Sequence, residues 1–164
     1  MVAATGVLVA AIYYVMTLRT NQRNIKTTLE TRQAQLFMPI YSTYYSEDFI
    51  KAHSEIMKWS WTDYDDYVSK YSYESNPDAY VMYRKMFGYL EGLGVIVRRG
   101  LIDPSLVDDL MSGMVVTFWE KFGSFIKERR RILDYPQVGE QIEYLYGKVK
   151  PIAERQRVEL KLKS

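Results

Sequence analysis

The first 18 residues, MVAATGVLVAAIYYVMTL, carry no charged side chain, and the first charge is Arg19. No other feature limits the fold as strongly. As a helix rising about 1.5 Å per residue, the run would reach roughly 27 Å, close to the ~30 Å hydrocarbon thickness of a bilayer. A secretory signal has a basic leader and a shorter apolar core, and no Lys or Arg precedes this run. Tyr13 and Tyr14 stand near its charged end, as interfacial aromatics do. The expectation is a transmembrane helix over 1–18.

Arg19, Arg23, Lys26 and Arg32 follow closely, opposed by Glu30 alone. Basic flanks stay on the cytoplasmic side, which predicts an outside N-terminus and a cytoplasmic C-terminal domain at the cell membrane. Ala3, Gly6 and Ala10 put small side chains one turn apart, a pattern that lets two membrane helices approach closely.

The roughly 145 residues beyond the run hold every charged side chain and suit one domain. Glycine and proline are sparse and strand-like alternation is rare, so the fold class is all-α: the N-terminal helix continues into a bundle of about five or six helices. The boundaries read as 1–18 span, 19–35 stalk, 36–155 bundle and 156–164 polar tail. Ile25, Leu29, Leu36, Phe37 and Ile40 recur at helical spacing, and Pro39 is expected to kink or end that helix. Ser46 is a candidate cap for the next helix, and Thr62 for a short one after it. Asn76-Pro77 and Asp103-Pro104 each read as a cap followed by proline at the first helical position, and Gly100 as a stop. Gly113 allows a break near Ser112, and a last helix starts near Gln137. In it Val138, Ile142, Leu145, Val149 and Ile152 form a heptad-like seam able to receive a partner helix.

Little here can carry chemistry. With no cysteine, disulfides and thiolate chemistry are excluded. The single histidine, His53, falls on the apolar face of its helix, and no Glu-x-x-His pair exists for a di-metal bundle. No Gly-x-Ser-x-Gly, Walker loop or dinucleotide fingerprint is present. Gly92 and Gly94 in YLEGLGVIV sit within a helical pattern and suit close packing. Asp63, Asp65 and Asp66 resemble half a calcium loop but lack its glycine and terminal glutamate. No catalytic, cofactor or metal residues are assigned.

Lys127, Arg129, Arg130 and Arg131 form a basic run that suits either the end of a helix or an anionic lipid surface. A net charge of +2 gives no case for nucleic acid. The fifteen tyrosines offer apolar area with a polar tip. Trp59, Trp61, Phe118, Trp119, Phe122 and Phe125 read as core, with an aromatic patch facing a partner as the alternative.

The stretches LETRQAQLFMPIY, WSWTDYDDYVSKY, YLEGLGVIVRRGLIDPSLVDDLM and FWEKF resemble a family of small archaeal and bacterial membrane proteins of unknown function. That resemblance implies one N-terminal span and a cytoplasmic helical domain, and nothing catalytic. The function expected is a non-enzymatic, membrane-anchored interaction or scaffold module. Its partners would be membrane lipid and either further copies of itself or other membrane-protein subunits. The alternative is a membrane-tethered sensor or effector that binds a small ligand between helices, with tyrosines as the polar lining.

Overall fold

The computed structural model describes the backbone of residues 2–163 and the side chains of that span other than 2–5, 8, 157 and 159–163. Among the described residues there are six helices and no strand: α1 (Val2–Tyr44), α2 (Glu47–Lys58), α3 (Tyr64–Tyr71), α4 (Pro77–Arg98), α5 (Pro104–Leu133) and α6 (Glu140–Lys163). The chain divides between Met38 and Pro39 into two units.

The first unit is helical. Val9, Ile12, Val15 and Leu18 are among its exposed apolar side chains, while Phe37 is buried. Thr17 and Thr20 donate their hydroxyls to the carbonyls of Tyr13 and Met16 at 2.9 and 3.0 Å, so these polar groups are satisfied within the helix. Among the described residues no helix is long and apolar enough to cross a membrane. The expected span over 1–18 lies in part outside them, at residues 1–5 and 8. The described apolar stretch that remains is cut short by Arg19. The helix runs on through the stretch 19–35, where Ile25 and Leu29 are exposed, as is Leu36 just after it.

Of the two outcomes expected at Pro39, the helix does not end there but runs on to Tyr44. Pro39 removes a donor, at about 3 kcal/mol in a helix interior. The last turn is nevertheless held. Thr43 Oγ1 donates to the Pro39 carbonyl at 3.0 Å, and the Tyr89 hydroxyl of α4 donates to the Ile40 carbonyl at 2.6 Å.

In the second unit α6 lies against both α5 and α4, α2 packs on α4, and α3 touches α4 and α5. Capping chemistry sets most limits. Asn76 and Asp103 accept from the backbone N–H groups of Ala79 and Ser105, with Pro77 and Pro104 next in line. Gly100, at φ +68°, takes the chain out of α4 in a left-handed conformation open to glycine. Ser46 precedes α2 as expected, but its hydroxyl donates back to the Thr43 carbonyl at 2.8 Å and caps nothing. Asp63, one residue beyond the expected Thr62, caps α3 by accepting from Asp66 N–H at 2.9 Å.

α5 is unbroken through Gly113 and Gly123, so the break that Gly113 allows near Ser112 is not taken. Packing along Val107, Met111, Val115, Phe118 and Phe122 on its buried face outweighs two poor helix formers. α6 starts at Glu140, three residues later than expected, because residues 134–139 form the turn; Asp134 (φ 48°) and Gly139 (φ +69°) both take left-handed geometry there.

The seam of α6 is consumed inside the bundle. Ile142, Leu145 and Val149 are fully buried, and Val138 and Ile152 half-buried. At about 1.5–3 kcal/mol per buried aliphatic side chain, these residues hold α6 to its own chain and leave no seam for a partner helix. The backbones meet at Gly94 of α4, where a Cβ would fall 2.3 Å from the Gln141 carbonyl oxygen. Glu91 Oε1, one turn earlier, accepts from Ile142 N–H at 3.3 Å and so supplies α4's carboxylate to the first turn of α6. Burial holds the Glu91 carboxyl above its ordinary range, partly offset by these backbone donors.

Gly94→Ala should therefore displace α6, lowering stability by about 1–3 kcal/mol in denaturant unfolding. Gly92, with nothing within 4 Å of an added Cβ, is the control. Gly92→Ala should be neutral or stabilising by up to about 1 kcal/mol. Equal losses from the two would remove the case for close backbone packing.

Candidate functional site

α5 repeats aromatics at Phe118, Phe122 and Phe125, four and three residues apart, and so brings three buried rings onto one face. The extended segment before α3 lays Trp59 and Trp61 against them. α3 adds Tyr64, Tyr67 and Tyr71, again at helical spacing, and α4 adds Tyr83. Trp59 stacks on Tyr71 at 4.2 Å between centroids and Trp61 on Phe122 at 5.2 Å. Tyr67 meets Phe125 at 3.8 Å and Tyr83 at 6.0 Å. Each such pair contributes about 0.5–1.5 kcal/mol beyond its buried area.

The polar tips of these rings fare unequally. The Tyr71 hydroxyl reaches the Ser60 carbonyl at 3.4 Å. The hydroxyls of Tyr67 and Tyr83 are buried and have no hydrogen-bond partner. Their residues are 4% and 1% exposed, and both oxygens are closed off from the surface. An unsatisfied buried hydroxyl costs about 1–3 kcal/mol, and few native groups carry that cost without a role.

Both tyrosines line one cavity of about 260 Å³ between α3, α4 and α5, with Val68, Tyr80, Phe125 and Arg129 on its wall and Glu74 exposed beside it. Arg129 is half-buried and makes no ion pair among the described residues. Burial pushes both phenols far above their ordinary range, and the Arg129 charge pulls them back only in part. Both hydroxyls therefore keep their protons.

Several other polar groups of this end are already engaged. A larger cleft of about 580 Å³ is lined by Trp61, Asp63, Asp65, Glu128 and Arg131. Glu128 and Arg131 pair with each other at 2.6 Å, and Asp63 is spent as the α3 cap. Asp66 accepts from Thr62 N–H and from Lys70 Nζ, at 2.9 and 2.8 Å. No group of three metal-binding side chains comes together among the described residues. His53 is half-buried on the apolar side of α2, and burial lowers its pKa.

The basic run does not form one cationic surface. Lys127 and Arg130 both reach Glu143 of α6, at 3.6 and 2.5 Å, and Arg130 Nε also donates to the Val138 carbonyl. With Arg131 on Glu128, only Arg129 is left over. Gly6 and Ala10 are exposed, with nothing within 4 Å of a Cβ at Gly6, while the Ala3 side chain lies outside the described residues. Sequence reasoning grouped Arg129 with its neighbours and gave tyrosines in general as a lining. The usable signal was the placement of Tyr64, Tyr67 and Tyr71 on one face of a short helix.

The chain belongs to the family described as a domain of unknown function (DUF4760), whose pattern matches residues 1–149. The match takes in the N-terminal helix and the bundle as far as the buried part of α6. No curated protein and no solved structure matches the chain.

Two hydroxyl deletions separate paired from unpaired tyrosines. Tyr89→Phe removes the bond to the Ile40 carbonyl and should lower unfolding stability by about 1 kcal/mol. Tyr83→Phe keeps the ring and removes an orphan hydroxyl, so stability should hold or rise by up to about 1 kcal/mol. A Tyr83→Phe loss as large as that of Tyr89→Phe would mean that the hydroxyl has a partner.

Proposed function

We propose that this protein is a membrane-tethered binding module whose bundle holds a small ligand between α3, α4 and α5. The observation that carries this reading is the cavity of about 260 Å³ between α3, α4 and α5, walled by aromatic side chains and by Arg129, which makes no ion pair among the described residues. A ligand seated there would pack on the aromatic wall and offer Arg129 a partner.

The tether rests on sequence. The charge-free run over 1–18 has the length of a span, and the cations that follow it favour a cytoplasmic bundle. Such a module would respond to a soluble ligand beside the membrane and pass the response to neighbouring membrane proteins or further copies of itself. The exposed Gly6 and Ala10 on α1 support a helix contact of that kind. We read the site as a binder and not a catalyst. Its wall offers high-pKa phenols and a guanidinium, and no histidine or other group poised near neutral pH for general base work.

Full-length protein expressed in cells should stay with the membrane fraction through an alkaline wash. Extracted in mild detergent, it should melt about 5–10 °C higher with a cognate metabolite at a hundredfold its Kd. Val68→Phe, which fills the cavity, should abolish that shift. Recovery in the soluble fraction would contradict the tether. A blank screen of nucleotides, amino acids and organic acids would contradict ligand binding.

A further inference from the structure

We infer that α1 pairs with α1 of a second copy of this chain as a parallel, in-register coiled coil, along a seam that runs from Ala11 to Leu36. The inference rests on the tether proposed above, which points both helices the same way, and it names the partner of α1. It makes no use of the cavity in the bundle.

Spacing sets the seam. Val15, Leu18, Ile25, Leu29 and Leu36 follow one another at intervals of three, seven, four and seven residues. Those are the alternating inner positions of a heptad, with Gln22 and Arg32 in the two places between. The five apolar side chains are 43–61% exposed, so the stripe lies open along the first unit. Gly6 and Ala10 do not fall on it. The helix also needs packing. Between Thr17 and Thr31 it spends seven positions on Thr or Asn, poor helix formers that do not hold a lone helix together. Thr28 and Thr31 turn their hydroxyls back onto the Asn24 and Thr27 carbonyls, at 2.8 and 2.9 Å. A partner can therefore cover this flank without stranding those donors.

Charge and polarity select a second copy as the occupant. In a parallel pair Arg19 and Lys26 flank the seam and face Tyr14 and Asn21 of the second copy, so neither cation meets a like charge. Tyr14 offers Arg19 an aromatic ring, and Lys26 is also paired within its own helix to Glu30 at 3.8 Å. Gln22 has both donors and an acceptor, so in register it satisfies its own counterpart. Any shift would set its amide against an apolar side chain, and the residue thereby fixes the alignment. Arg32 opposes the pairing, because two copies bring like charges to one level. Its long stem lets the guanidinium leave the seam, and anchoring both copies in one membrane raises their local concentration against that cost.

The chain has no cysteine, so single substitutions report the contact without background. Full-length variants are oxidised in isolated membranes and the disulfide-linked dimer is measured. Leu18→Cys, Ile25→Cys and Leu29→Cys should each crosslink to their own counterpart. Thr20→Cys, Thr27→Cys and Ala34→Cys, on the opposite side of the helix, should do so about tenfold less, because a disulfide needs Cα atoms within about 7 Å. Leu29→Asn should lower the Leu18→Cys yield about threefold or more, and Arg32→Leu should raise the Ile25→Cys yield. Equal crosslinking at all six positions, or none at any, would overturn the coiled coil, while protein still in the membrane fraction would leave the tether standing. A lower yield with Arg32→Leu would overturn the register. The expected period in protein recovered from the soluble fraction would support the seam and count against the tether alone.

Discussion

Phe122 is the ring on which the second unit depends. It is fully buried and meets Trp59, Trp61, Tyr67, Tyr83 and Phe118, with centroids 4.9–6.5 Å away. Through those contacts one side chain of α5 joins α3, α4 and the segment before α3. Rings suit such a junction because each buries a large area for few lost rotamers. They also carry a constraint. A helix spends its interior carbonyls on its own N–H groups, so an all-helical core has few spare acceptors for a buried phenol. Tyr89 finds one at Ile40. Tyr67 and Tyr83 do not. The aromatic junction and the polar cavity are thus two results of one packing arrangement.

α6 closes the bundle from the other side by a different means. Its first turn meets the backbone of α4 at Gly94, is met by the Glu91 carboxylate, and then buries Ile142, Leu145 and Val149. Glu143 on the same helix draws in Lys127 and Arg130 from α5. That pairing separates Arg129 from the rest of the basic run. The placement of α6 therefore bears on the cavity even though α6 contributes no side chain to its wall.

Much of the fold was legible because the signals are local. Asn76-Pro77, Asp103-Pro104 and Gly100 mark helix limits through chemistry confined to one turn, and the structure places them as read. Errors arose where distant contacts decide. Pro39 lies within α1 because the turn after it is held by Thr43 and by Tyr89, 50 residues along the chain. The α6 seam looked available because periodicity reports an apolar face without saying what covers it. The basic run looked cationic because Glu143 is 13 residues from Arg130 and on another helix. The site was legible only as a surplus of tyrosine. Which hydroxyls lack acceptors depends on how three helices meet, and no local pattern encodes that.

The most direct measurement is NMR of the tyrosine ring carbons that bear the hydroxyls, in ligand-free protein, with signals assigned by Tyr→Phe substitution. Tyr67 and Tyr83 should show hydroxyl protons that exchange slowly with water and resonate as groups without an acceptor. Tyr89, bonded to the Ile40 carbonyl, supplies the internal reference for a satisfied hydroxyl. Tyr67 and Tyr83 signals at the bonded position of Tyr89, or exchanging as fast as an exposed tyrosine, would contradict a core with two unpaired hydroxyls.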